Sequence, residues 1–231
     1  MLRFPLLVCV LLLGACGNAS SSGPPPPTAA SATATPTAKP TPTPVPEVQR
    51  VDVVKAGVGS YMLEAVPVAI LKNVATRHTA TGVKTHFTVS SGGRSPQKLE
   101  GQVLSVSPGE TLAVAAQCTD TCNGADTVDV QVEVGGWAPG ARTTLATSAV
   151  AFMCGSGCAG STYGKVTGVV TGTLAANTGV YVVADCTDGS GTIIGGNSTL
   201  TQWAGGASQP VEVNVLLRAP AAHCELFAAV A

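Results

Sequence analysis

The chain has 231 residues, of which 45% are hydrophobic, 4% aromatic and only 11% charged, with a net charge of −1. A soluble domain usually carries roughly 25% charged residues, so this surface is built from Thr, Ser, Gly, Ala, Asn and Gln. The near-neutral balance argues against a nucleic-acid binder, which usually shows a basic domain or stripe, and 27 Gly with 16 Pro favour turns over long helices.

Met1 to Ala15 read as an export signal. Arg3 is the positive head, and Phe4 to Leu13 form an apolar run shorter than the roughly 20 residues a membrane-spanning helix needs. The segment closes with Leu13-Gly14-Ala15-Cys16. This resembles the bacterial lipoprotein signal, in which a Leu and two small residues precede the Cys that becomes the lipid-carrying N-terminus. The resemblance makes Cys16 the lipidation site. It implies a diacylglycerol and palmitate anchor in a bacterial membrane, with the rest of the chain in the cell envelope outside the cytoplasm. Several acyl chains hold firmly, since each buried CH₂ adds roughly 0.8 kcal/mol.

Residues 16–46 read as a linker. From Gly17 to Pro46 it holds nine of the sixteen prolines, and Lys39 is its only charge. Such a segment cannot bury a core and favours the extended polyproline conformation. At about 3.1 Å per residue it reaches on the order of 90 Å, the length of a stalk.

The remainder is predicted to be all-β. Val128, Val130, Val132 and Val134 alternate with Asp129, Gln131 and Glu133, a period of two. Val211, Val213 and Val215 do likewise, as do Leu112, Val114 and Ala116. Turn clusters separate the runs at Ser91-Gly92-Gly93, Ser107-Pro108-Gly109, Gly189-Ser190-Gly191 and Gly205-Gly206.

Overlaid at an offset of 97, Thr81-Gly82-Val83 falls on Thr178-Gly179-Val180 and Gly109 on Gly206. With a one-residue slip, Val128, Val130, Val132 and Val134 fall on Cys224, Leu226, Ala228 and Val230. Two tandem immunoglobulin-like β-sandwich domains are therefore expected, at 47–140 and 141–231.

The second of them resembles the FxLYD domain, a small immunoglobulin-like sandwich of exported bacterial and archaeal proteins. Tyr181-Val182-Val183-Ala184-Asp185 fits that family's aromatic-x-aliphatic-x-Asp motif, with Ala184 where Tyr is usual. Asp188-Gly189 to Ile194-Gly195 resembles its following hairpin, and Gly205-Gly206-Ala207-Ser208 its later turn. In the first half Thr88 stands where the Asp would be. The resemblance implies a fold and an envelope setting, and no catalytic residues.

Six cysteines remain beyond Cys9 and Cys16. Cys186 shares the parity of Val180, Val182 and Ala184, and Cys224 that of Leu226, Ala228 and Val230. Their counterparts in the repeat, Val89 and Val128, are apolar. A buried Cys186–Cys224 disulfide is expected. Cys118 with Cys122, and Cys154 with Cys158, each span three residues and are expected to close on themselves. Cross-pairing between the two motifs and a Cys₄ zinc site remain as alternatives, the latter weakened by an oxidising compartment.

Catalytic patterns are thin. His78, His86 and His223 have no neighbours at metal-ligand spacing, and no Gly-x-Ser-x-Gly elbow occurs. Ser95-Pro96-Gln97-Lys98 has the Ser-x-x-Lys spacing of serine β-lactamases but lies between strands rather than opening a helix. Asp185, Asp188 and Ser190 read as a hairpin turn rather than a calcium loop, because EF-hand spacing is absent.

One stretch is uneven in charge. No acid occurs between Glu64 and Glu100, whereas Lys72, Arg77, Lys84, Arg94 and Lys98 do. That is a weak ligand-binding segment for an anionic polymer, set against cross-strand pairing with Asp120, Asp126, Asp129 and Glu133. The expected protein is a lipid-anchored, non-enzymatic interaction or spacer module without a metal or cofactor. Its expected partners are the membrane, through the lipid, and an envelope protein or polymer. An anion-binding and a Cys-based metal-binding protein are the alternatives.

Overall fold

The structure, a computed structural model, describes residues 46–231 except 62, 103, 120, 123 and 155–161. The signal segment, Cys16, the linker up to residue 45, Asp120 and Cys158 lie outside the described residues.

The alternating segments all become strands, and no helix occurs among the described residues. The first half contains β1 (Val51–Tyr61), β2 (Glu64–Asn73), β3 (His78–Ser91), β4 (Gln97–Glu100), β5 (Leu104–Val106), β6 (Thr111–Ala115), β7 (Ala125–Glu133) and β8 (Gly136–Pro139). The second contains β9 (Ala146–Cys154), β10 (Tyr163–Thr171), β11 (Gly179–Thr187), β12 (Ile193–Gln202), β13 (Ser208–Leu217) and β14 (His223–Val230). The protein is all-β, built of antiparallel sheets stacked as sandwiches.

Both halves use the same pairings. In the first, β1-β2-β6 faces a sheet in which β3 pairs with β4 and β7, with β5 and β8 added along β3. In the second, six strands run β14-β11-β12-β13-β10-β9. The β12–β13 contact is only two pairs long, Gly195↔Leu217 and Gly196↔Leu216. The sheet creases there into two leaves, β14-β11-β12 and β13-β10-β9. Leaf for leaf this repeats β7-β3-β4 and β6-β2-β1. The repeat is exact at one diagnostic place: Val89 pairs with Val128 across β3 and β7, and Cys186 pairs with Cys224 across β11 and β14.

Three cores hold four layers together. The first, between β1-β2-β6 and the β3 sheet, includes Leu71, Phe87, Val106 and Val114. The second, inside the creased sheet, includes Val182, Trp203, Val213 and Leu226. The third joins the halves: Val66, Val68, Ile70, Ala113 and Ala115 of the β1-β2-β6 sheet meet Val183, Ile193, Leu216 and Phe227. This explains β2 and β6, where side chains of both parities are buried. Strands covered on two faces lose the alternation that marks a half-exposed strand.

The joint is tight at four glycines. Gly57 and Gly59 of β1 lie against Ile193, Gly195 and Leu216. A Cβ on Gly59 would stand 2.0 Å from the Leu216 carbonyl oxygen across the joint, and one on Gly196 would stand 2.0 Å from that of Ala184 on the neighbouring strand of its own sheet and 3.0 Å from Val68 across the joint. Backbone meets backbone here, an approach only glycine permits.

Candidate functional site

The cysteines are bonded. Cys118 joins Cys122, both buried at the edge of the first core, and Cys186 joins Cys224 with Cα atoms 4.1 Å apart. Cys154 is also in a disulfide, while Cys158 lies outside the described residues. Sulfurs in a disulfide are not thiolates, so a four-cysteine zinc site would first require reduction of Cys118–Cys122. Among the described residues, no cluster of three or more His, Cys, Asp or Glu is placed to hold a metal ion.

The basic segment is dispersed. Lys72 is on β2 opposite Asp52, Lys84 is on β3 opposite Glu133, and Lys98 is on β4 opposite Thr88. Arg94 is in the β3–β4 turn, and Arg77 lies between β2 and β3 with its Nε 3.8 Å from Glu47. His86 stands between Glu100 at 3.6 Å and Glu133 at 3.7 Å. Positive and negative side chains thus interleave across β4, β3 and β7, an arrangement worth roughly 0.2–1 kcal/mol per opposite pair.

Asp188 makes a turn. Its carboxylate accepts from the Ser190 backbone N–H at 2.9 Å, the Ser190 hydroxyl at 2.6 Å and the Thr192 N–H at 3.1 Å. The Ser190 hydroxyl bond is the largest of the effects that lower its pKa.

Asp185 is different. It is 4% exposed, on the β11 face that carries Val183 into the joint between the halves. Its Oδ1 has no hydrogen-bond partner among the described residues. Glu225 is its cross-strand partner on β14, and His223 and Lys55 are its other charged neighbours. Lys55 reaches over from β1 to donate to the Gly191 carbonyl at 3.3 Å. Burial, followed by repulsion from Glu225, pushes the Asp185 carboxyl up to about 6, against weaker opposing pulls from Lys55 and His223. Chemically this is a buried carboxyl that gives up its proton at a higher pH than an exposed one.

Beside it, a cleft of about 640 Å³ opens between the Pro108–Leu112 segment, Thr144–Thr147 and β14. Glu110 lines one wall and His223 and Glu225 the other. Burial raises the Glu110 pKa, partly countered by the Ser107 N–H it accepts at 2.6 Å.

No family model, curated protein or solved structure matches the chain.

Lys55, Glu225 and Glu47 carried no signal in the sequence, because each acts on a segment remote in the chain. Asp185 did carry one. It interrupts Val182-Val183-Ala184 and Cys186, a run otherwise fit for burial on both faces.

Proposed function

We propose that the chain is a lipid-anchored protein of the bacterial cell envelope. In this reading Cys16 carries the lipid and the Pro/Thr-rich segment is a stalk. The four-layer β body serves as a non-catalytic spacer or interaction module. The observation that carries the reading is the joint occurrence of Leu13-Gly14-Ala15-Cys16 with a body closed by buried disulfides. Such bonds persist where proteins are exported rather than in a reducing cytoplasm. The FxLYD likeness of the second half belongs to the same proposal. It is supported by Tyr181–Asp185 lying on one strand and by the Asp188 turn opening the following hairpin.

The test is a Cys16→Ala variant expressed with labelled palmitate. The expected result is loss of label and release from the membrane fraction. Unchanged labelling and fractionation would overturn the proposal.

A further inference from the structure

Glu47 stands at the root of the linker, one residue after Pro46. Its side chain is 8% exposed, sunk into the loop that joins β2 to β3. One carboxylate oxygen accepts from the backbone N–H groups of Thr76 and Arg77 and from the Thr76 hydroxyl at 2.9 Å. The other meets the His78 Nδ1 and faces the Arg77 guanidinium, Nε at 3.8 Å. Two backbone donors, a hydroxyl, an imidazole and a cation therefore converge on a single carboxylate. Burial opposes the charge of that carboxylate. The bonds from His78, Thr76 and Arg77 outweigh it and hold the carboxyl down, at about 2.

The loop also has bonds of its own that do not involve Glu47. Asn73, fully buried, donates from its side chain to the carbonyls of His78 and Val106, both at 2.9 Å. It accepts from the Ala75 N–H, also at 2.9 Å. The Gly109 N–H caps the Asn73 and Ala75 carbonyls at 3.1 Å. These bonds fix the backbone of residues 73–78 from the inside, while Glu47 approaches from the outside. Donors preorganised by an independent network behave as a binding site, and the group they hold as its ligand.

We propose that the Thr76–His78 loop is a carboxylate-binding site, occupied in this chain by Glu47 and open to an external carboxylate once Glu47 is withdrawn. Occupancy in cis latches the root of the stalk to the body. A tethered ligand acts at an effective concentration in the millimolar range, so a free monocarboxylate displaces it poorly. The inference does not rest on lipid anchoring and stands or falls separately.

The experiment uses the full chain, as wild type and as Glu47→Ala, titrated with sodium acetate against sodium chloride of equal ionic strength. The readout is the amide resonances of Thr76 and Arg77. In the folded Glu47→Ala variant acetate is expected to shift both, saturably, with a midpoint in the millimolar range. Wild type should need at least about tenfold more. Adding His78→Ala and Thr76→Val to the Glu47→Ala variant should abolish saturation. Linear shifts identical in acetate and chloride would overturn the proposal. So would collapse of the fold in Glu47→Ala, since the loop is held to keep its shape without its ligand.

Discussion

Replacing Asp185 with Asn should change how stability depends on pH. Asp185 is buried against Glu225 in the joint, and its folded-state pKa is pushed from 3.8 to about 6. The folded chain therefore keeps a proton at pH 5 that the unfolded chain has released. Stability falls with pH wherever the folded state binds more protons. The loss begins near pH 4, as the unfolded carboxyl ionises, and ends near pH 6, as the folded one does. About two pKa units at 1.36 kcal/mol each amount to about 3 kcal/mol. For a body of this size that is roughly 6–12 °C in Tm.

Asn carries no charge to desolvate and none to be repelled by Glu225. Asp185→Asn should match wild type near pH 4 and exceed it by up to about 3 kcal/mol at pH 7. Urea unfolding at half-unit pH steps, followed by circular dichroism, measures the difference directly. Glu225, His223 and Lys55 are common to both proteins, so the comparison isolates residue 185. Parallel curves for the two proteins from pH 4 to 7 would refute the reasoning.

Gly59→Ala places a methyl 2.0 Å from the Leu216 carbonyl. It should cost at least about 1–3 kcal/mol in thermal or denaturant unfolding, whereas Gly189→Ala, with nothing within 4 Å, should be nearly neutral. Cys186→Val with Cys224→Val removes a bond that spans 38 residues. It should lower stability by about 3–4 kcal/mol yet keep the β spectrum, because Val89 and Val128 already fill the same paired positions in the first half.

Much of the strand content was legible because half-exposed strands announce themselves. In β7, Val128, Val130 and Val132 are half-buried while Asp129, Gln131 and Glu133 are exposed, and the sequence shows that period directly. The shared parity of Cys186 and Cys224 likewise foretold a bond between facing residues. The stacking of the halves was not legible. Val66 and Val68 look like ordinary apolar strand residues, and nothing in their own segment says that Ile193 and Phe227 will cover them. The unusual carboxyls follow the same rule. Asp185 is perturbed by the layer that lies over it, and Glu47 by a loop some thirty residues further on. Charge near charge in sequence was easy to see, but charge buried by a remote strand depends on tertiary placement.

The head-to-tail stacking of two like halves has a consequence for what each free face can dock. Each half offers one face of the kind that its twin uses at the joint, so identical units stacked in this way would continue indefinitely as a filament. The register shows how the two outer faces differ. Counting three positions along from Cys186 and Cys224 gives Val183 opposite Phe227, both in the joint. The same count from Val89 and Val128 gives His86 opposite Gln131. Where the second half presents a greasy pair, the first presents an imidazole flanked by Glu100 and Glu133. A unit docking there would have to strip water from exposed charged groups, a desolvation cost that the apolar pair at the joint does not carry.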